Sequence, residues 1–191
     1  FLKAAVPAYK KAMRDGDILA TKILSYTNVM VTSYNNCIRR VIWEDAKTTE
    51  YHQFEFLTGY ENLEFNGIKF WNSMDYIIVD EPEKRDIYIP GFMKVPGYEL
   101  TLYDSNTDDR TPVSMISRDI DSDYMQALAS RIEGLRLQAI NLKENGRLQQ
   151  SRAAWKEYYN VIGSFTTPVD MFYENRLIRK KSFDYGYACS T

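Results

Sequence analysis

The chain has 191 residues, which is enough for one domain with a hydrophobic core and too few for two domains that each have a sizeable core. Its net charge of -2, with 45% hydrophobic and 26% charged residues, is ordinary for a folded soluble protein and gives no general reason to expect a polyanionic partner. The two cysteines define neither a disulfide framework nor a metal cage, and no apolar run approaches the roughly 20 residues of a membrane span. These features predict a soluble intracellular protein that does not enter a membrane.

The pattern of the N-terminal segment predicts two helices. Pro7 to about Arg14 favours a short helix that Gly16 ends, and Asp17 is placed to cap a second, long one. Over the following seven turns, apolar residues recur at the spacing of one helical face: Leu19, Ile23, Tyr26, Met30, Tyr34, Cys37 and Val41. Because many other residues of this segment have weak helix propensity, tertiary or subunit packing must stabilise the helix.

Beyond Trp43 the hydrophobic pattern changes to a period of two, which is typical of β-strands, and continues to about Ser117. In the stretch LEFNGIKF, the Asn-Gly pair predicts a type I′ turn that pairs residue 65 with 68 and residue 63 with 70. Further strands are predicted at 76–79, 86–89, 98–103 and 113–117. We expect these strands to form an antiparallel sheet inserted between helices.

Residues 122–162 predict two antiparallel amphipathic helices. Ser122 and Asp123 suit the start of the first helix, and Asn145-Gly146 suits its end. The first helix has an apolar stripe that should face a core: Met125, Leu128, Ile132, Leu135, Ala139 and Leu142. The second stripe runs through Leu148, Arg152 or Ser151, Trp155, Tyr159 and Ile162. The short connection forces the two helices to lie side by side.

The predicted fold class is therefore α+β: an N-terminal long helix and a C-terminal helical hairpin with an inserted antiparallel β-sheet, followed by an extended C-terminal arm. The predicted domain covers residues 1–165, with helices at 7–42 and 122–162 and the β insert at about 50–117. Residues 166–191 would form a docking arm, since its many aromatic residues are too apolar for a solvated tail.

No catalytic or metal-binding motif emerges. His52 is the only histidine, lies in a predicted strand and lacks the spacing of a zinc site, so a structural or surface role is expected. The stretch from Asp104 to Met115 opens like a calcium loop, but Asp109 and Met115 stand where the loop needs glycine and glutamate. The scattered glycines form no phosphate-binding loop. The sequence predicts no enzyme, no metal and no cofactor.

Two sets of residues are candidates for binding. The first consists of aromatic and apolar residues of the arm with basic or aromatic residues of the hairpin, which we predict to form protein interfaces: Phe172, Tyr173, Leu177, Phe183, Tyr185, Arg136, Arg152 and Trp155. The second is the basic cluster of the arm, which has aromatic neighbours and is a candidate for DNA contact: Arg176, Arg179, Lys180 and Lys181.

The order of elements resembles the head-to-tail connector adaptors of tailed bacteriophages, of the tail tubular protein A or gatekeeper type. The resemblance lies in IYIPGF at 87–92, ELTLYDSNTDDRTPVSMI at 99–116 and DSDYMQALASRIEGL at 121–135. It differs from the family in the first helix, which is not rich in alanine, and in Gly134, which interrupts the first helix of the hairpin.

This resemblance implies a non-enzymatic structural protein of the virion neck or tail, assembled in the cytoplasm of the bacterial host. It implies a homo-oligomeric ring, twelvefold in this family, between the portal protein and downstream tail or nozzle proteins, with double-stranded DNA passing non-specifically through it. Two alternatives stay open: a small enzyme that acts on a polymer through a carboxylate pair, and a monomeric protein-binding module.

Overall fold

The computed structural model describes residues 2–15, 17, 21–65 and 67–190, and these residues form four α-helices and twelve β-strands. The helices are α1 (Leu2–Asp15), α2 (Asn28–Ile42), α3 (Ser122–Glu144) and α4 (Leu148–Ile162). The strands are β1 (Ile23–Ser25), β2 (Phe56–Gly59), β3 (Leu63–Phe65), β4 (Ile68–Phe70), β5 (Asp75–Ile78), β6 (Glu83–Tyr88), β7 (Lys94–Asp104), β8 (Asp109–Ile116), β9 (Met171–Tyr173), β10 (Arg176–Arg179), β11 (Phe183–Tyr185) and β12 (Ala188–Ser190).

The central feature is a curled antiparallel sheet of β11, β2, β5, β7, β6 and β8. Strand β7 pairs with β8 along one edge and with β6 and then β5 along the other. The chain at Thr166 and Thr167 connects the two ends of the sheet. Thr166 forms a parallel bridge to Met115 of β8, and the carbonyl of Thr167 accepts a hydrogen bond of 2.7 Å from the N–H of Ser182, next to β11.

Two hydrophobic clusters lie on this sheet. The first fills the curl and includes Ile38 of α2, Leu57 of β2 and Tyr187 near the C-terminus. The second lies between the sheet and the helical pair and includes Ile132 of α3 and Val161 of α4. Side chains distant in sequence meet in both clusters, so neither cluster belongs to one segment of the chain.

The predicted fold class is wrong in its arrangement of helices. No continuous helix runs from residue 17 to residue 42 in the described residues, because β1 separates α1 from α2. Strand β1 pairs in parallel with β12, whose residues lie more than a hundred positions away. Helix α2 then starts after Thr27, whose side chain accepts a hydrogen bond from the N–H of Met30, rather than after Asp17. Leu19 and Gly16 lie outside the described residues.

The extended C-terminal arm is also wrong. After the helical pair the chain forms four more strands, of which β11 joins the main sheet beside β2 and β12 pairs with β1. Phe183, Tyr185 and Tyr187 are buried in the first hydrophobic cluster. These strands are hard to predict because each has only three or four residues, and β11 and β12 pair with strands far away in sequence. The division of the domain at residue 165 stays a prediction.

Local β-structure follows the sequence more closely. Strands β3 and β4 pair residue 63 with 70, 64 with 69 and 65 with 68, as the Asn-Gly turn predicts. Gly67 has a φ of +80°, which this turn requires, while Asn66 lies outside the described residues. In the stretch considered as a calcium loop, residues 105–108 form the turn between β7 and β8, and residues 109–115 lie in β8. His52 does not lie in a strand but in the segment that precedes β2.

Candidate interaction surfaces

The apolar stripe of α4 lies on the outside of the molecule. Leu148 is 56% exposed and Tyr159 is 61% exposed, and Arg152 between them is also exposed. Trp155 is half-buried, and its ring stacks against that of Tyr159 with a centroid distance of 5.9 Å. We call these four residues the α4 outer face. Leu148, Arg152 and Tyr159 are exposed in the described part of the chain, whereas Trp155 is partly covered by its neighbours.

Large apolar residues are also exposed on α2 and in the turn before it. Tyr26 is 91% exposed and Val29 is 80% exposed, and Met30 and Val41 are also largely exposed. We call these four residues the α2 outer face. Most soluble proteins expose large apolar residues singly, and a cluster of them is typical of an interaction site. The molecule therefore has two separate faces of this kind.

Polar side chains determine which side of α2 faces inward. Arg39 is buried and donates hydrogen bonds to Glu55 Oε1 at 2.6 Å, to the carbonyl of Thr49 at 2.7 Å and to that of Glu50 at 2.6 Å. Asn35 is buried as well: its side-chain N–H₂ donates to the carbonyl of Tyr185 at 2.6 Å. A buried charge or amide needs all these partners, so the bonds hold α2 in one rotation.

His52 belongs to the same network. Its ring stacks on that of Trp43 with a centroid distance of 4.4 Å, and its Nε2 lies 2.7 Å from Asp45 Oδ1. Burial alone would lower the pKa of His52, but hydrogen bonds to Glu55 and Asp45 raise it above the ordinary value. For Arg39, burial likewise opposes the charge, while Glu55 raises the pKa. His52 is thus a structural histidine held among charged neighbours.

Small side chains determine the inner side of α4. Ser151, Ala154 and Val161 are buried, and Ser151 Oγ donates a hydrogen bond of 2.7 Å to the carbonyl of Ala139 in α3. Small residues allow two helices to approach closely, so α3 packs against this side of α4 and leaves the larger apolar residues outside. An ion pair between Arg131 and Glu157 also joins the two helices.

Some of the predicted interface residues of the C-terminal segment are buried in the fold, and others are exposed. Phe183 and Tyr185 are buried in their own chain, whereas Phe172 and Leu177 are exposed on the β9–β10 hairpin and Tyr173 is half-buried there. Tyr185 lies between two guanidinium groups, with Arg39 at 4.4 Å and Arg118 at 4.3 Å from its ring centroid. These two cations stabilise the burial of a tyrosine that the sequence predicted for an interface.

The basic cluster is largely paired with carboxylates of the same chain. Arg176 lies 2.9 Å from Glu133, which also pairs with Arg136 at 2.7 Å. Lys181 lies 2.9 Å from Asp184. Although burial opposes ionisation, Arg118 and Lys181 hold the pKa of Asp184 below its ordinary value.

The other two cations differ from each other. Arg179 is nearly buried and pairs with Glu61, whereas Lys180 is exposed and forms no ion pair with the described residues. The positive charge available to a polyanion at this cluster is therefore small, and DNA contact stays a prediction.

Two clefts adjoin the β9–β10 hairpin. One, of about 460 Å³, lies between the end of α4, β3 and β10. The other, of about 690 Å³, is polar, and in it Lys22 is paired with Asp75. In the described ranges, His, Cys, Asp and Glu side chains form no group of three or more that could hold a metal ion. Helices long and apolar enough to cross a membrane are also absent from those ranges.

Comparison with models of known protein families and with curated proteins gives no match to this chain. The two outer faces, the clefts and the sequence resemblance are therefore the features that point to a function. The sequence did single out Arg152 and Trp155 of the α4 outer face, but it missed Tyr26 and Val29 as surface residues. One feature of the sequence could have indicated them. Asn35 and Arg39 are spaced four residues apart and lie on the inner side of α2, opposite the exposed apolar residues.

Proposed function

We propose that this protein is a structural, non-enzymatic subunit of a homo-oligomeric ring, acting as an adaptor in the neck or tail of a tailed bacteriophage. In that role it joins the portal protein to downstream tail components, and double-stranded DNA passes through the ring without sequence-specific contact. The proposal combines the resemblance at residues 87–92, 99–116 and 121–135 with the surfaces of the folded chain.

The observation that carries the proposal is the presence of two different outer faces on one chain. In a twofold dimer, the same surface of each subunit meets itself, so one face would suffice. In a ring, each subunit presents one surface to the preceding neighbour and a different surface to the next. The α2 outer face of one copy and the α4 outer face of the next satisfy this requirement, and their association removes Tyr26, Val29, Leu148 and Tyr159 from water.

The first experiment measures the mass of the full chain in solution over a range of concentrations, together with electron microscopy of the particles. We expect a closed ring and no open series of filaments. A protein that stays monomeric at high concentration, also when mixed with a portal protein, contradicts the proposal and favours a monomeric binding module.

The second experiment tests which faces meet. Val29→Asp and Leu148→Asp each place a carboxylate in the first turn of a helix, where the helix dipole favours it, so both variants should fold. Each variant alone should fail to form a ring. Mixed in equal amounts, the two variants should form a discrete heterodimer, because the intact α2 outer face of one meets the intact α4 outer face of the other.

Ser105→Asp is the matched control, since it makes the same change of charge at an exposed turn outside both faces. It should assemble as the wild type does. A mixture of Val29→Asp and Leu148→Asp that remains monomeric shows that the two faces do not bind each other, even if the wild type forms rings.

A further inference from the structure

The cleft of about 460 Å³ contains strand edges and a nearly buried cation that have no role in the proposed ring. One wall is the segment 61–65, which contains β3, and another is the segment 177–180, which contains most of β10. Tyr158, Tyr159 and Ile162 of α4 also line the cleft, together with Gly163 and Phe165. The two walls are joined at one end, where the N–H of Tyr60 donates a hydrogen bond of 2.9 Å to the carbonyl of Ser182.

Both walls are strand edges without a partner. In the described chain β3 pairs only with β4, and β10 pairs only with β9. The turn between β9 and β10 consists of Glu174 and Asn175, so residues 173 and 176 form the hydrogen-bonded pair next to it. Residues 172 and 177 then form a non-hydrogen-bonded pair, which directs the N–H and C=O of Leu177 away from β9.

The same alternation applies to the other wall. Residues 65 and 68 form the pair next to the turn of the β3–β4 hairpin, so 64 and 69 form the non-hydrogen-bonded pair. The main-chain N–H and C=O of Glu64 therefore point away from β4. An unpaired strand edge is a template for another extended chain, and here two such edges line one cleft.

Arg179 adds a cation to this cleft. Its side chain is only 10% exposed and lines the cleft, with its guanidinium 4.6 Å from the ring centroid of Phe165. Nε donates to Glu61 at 3.4 Å, one terminal nitrogen donates to the carbonyl of Ile162, and the other to Ser182 Oγ at 3.4 Å. A guanidinium has five N–H donors, so two remain for a ligand.

The charge of Arg179 is only partly compensated by Glu61, because the distance between them is long for an ion pair and Ser182 Oγ also donates to the same carboxylate oxygen of Glu61 at 2.7 Å. Burial lowers the pKa of Arg179, which agrees with an environment that does not fully stabilise the charge. Lys180, at the same wall, is exposed and has no ion-pair partner among the described residues. Glu61 and Glu64 of the lining match these two cations in number, and a carboxylate placed against Arg179 would accept its two remaining N–H groups.

We propose that this cleft binds an extended peptide segment of a partner protein, which adds as a strand along β10 and places a carboxylate against Arg179. Alternate apolar side chains of the peptide pack on Ile162 and Leu63, while its main chain bonds to Leu177. The proposal goes beyond ring assembly. Tyr159 belongs both to the α4 outer face and to the cleft lining, whereas Val29 and Leu148, the residues changed in the ring experiment, lie outside the lining.

The test begins with a library of short random peptides selected against the immobilised full chain. Selected peptides are synthesised with a fluorescent label, and their affinity is measured by anisotropy. We expect alternating apolar residues and a shared carboxylate among them. Changing that carboxylate to the amide should weaken binding by about tenfold or more, as expected for loss of a charge-assisted hydrogen bond.

Leu177→Pro and Leu177→Ala form the matched pair of variants. Proline removes the outward N–H of residue 177 and is tolerated on an edge strand when that N–H faces away from the neighbour, whereas alanine keeps it. Leu177→Pro should weaken binding by about tenfold, and Leu177→Ala by much less. Equal thermal midpoints and circular dichroism spectra of the two variants establish that both are folded.

Several results would overturn the proposal: no peptide enriched above background, equal binding of a selected peptide to Leu177→Pro and Leu177→Ala, or selected peptides with the apolar spacing of a helix. A small anionic compound that binds the cleft when no peptide does would identify it as a small-molecule site instead. None of these results bears on the ring, which is measured by mass with the outer-face variants.

Discussion

Helices α3 and α4 lie side by side and both carry a regular apolar stripe, yet the chain buries the stripe of only one of them. On α3, Leu128, Ile132 and Leu135 are buried in the cluster beneath the helical pair. On α4, Leu148 and Tyr159 face outward, and the buried side holds smaller residues. An apolar stripe therefore shows where a helix needs a partner, without showing whether the partner belongs to the same chain.

Helix α2 extends this comparison. Its inner side is held by the buried polar residues Asn35 and Arg39, whose hydrogen bonds are made with distant main-chain atoms and with Glu55. Its outer side carries Tyr26 and Val29. The inner side of α2 combines these polar residues with buried Val31 and Ile38, and the inner side of α4 combines small residues with the hydrogen bond of Ser151.

The largest effect is expected from removal of the chain after Thr167. This deletes Met171, Phe183, Tyr185 and Tyr187, which are buried in the two clusters, and the strand that completes the main sheet. We expect the shortened chain to have no cooperative unfolding transition by circular dichroism. A cooperative transition close to that of the full chain would show that the segment after Thr167 does not contribute to the stability of the core.

The next largest loss of stability is expected from substitutions on the inner side of α2. Glu55→Gln leaves the guanidinium of Arg39 buried without its counter-charge, and breaking a buried ion pair in this way costs about 3–5 kcal/mol. Val41→Ala, on the outer face of the same helix, should change the free energy of unfolding by less than about 0.5 kcal/mol. Urea unfolding measures both. Similar losses in the two variants would remove the distinction between the sides of α2.

The comparison of α3 with α4 is tested directly by truncating one apolar residue on each. Ile132→Ala should cost about 2–5 kcal/mol, because Ile132 is fully buried. Leu148→Ala, at a site that is 56% exposed, should stay within about 0.5 kcal/mol for the monomer. If Leu148→Ala destabilises as much as Ile132→Ala at low protein concentration, the outer face is packed within the chain after all.

The smallest effect concerns pH. Because the pKa of His52 is raised in the folded state, protonated His52 stabilises the fold below the unfolded value of 6.5, and this contribution is lost as the pH rises through the folded value. The stability difference between wild type and His52→Gln should therefore decrease from about pH 6 to about pH 8. A difference that does not change over this range would show that His52 does not titrate in its contacts with Asp45 and Glu55.

Some features were determined by the sequence itself, because they depend on neighbours along the chain. The β3–β4 register follows from the Asn-Gly turn, and the buried side of α3 follows from the regular spacing of apolar residues between Met125 and Leu142. The residues of the candidate faces were only partly found: Arg152 and Trp155 were predicted, whereas Tyr26, Val29 and the cleft at Arg179 were not.

Only the tertiary structure decided the remainder. The apolar spacing of residues 17–42 predicts one helix, but the pairing of β1 with β12 interrupts it, and the pairing of β11 with β2 places Phe183 and Tyr185 in the core. Burial of Arg39 and Asn35 is favourable only because distant carbonyl groups and Glu55 accept their hydrogen bonds. The physical reason is the same in each case: the free energy comes from contacts between residues far apart in sequence, which no local pattern records.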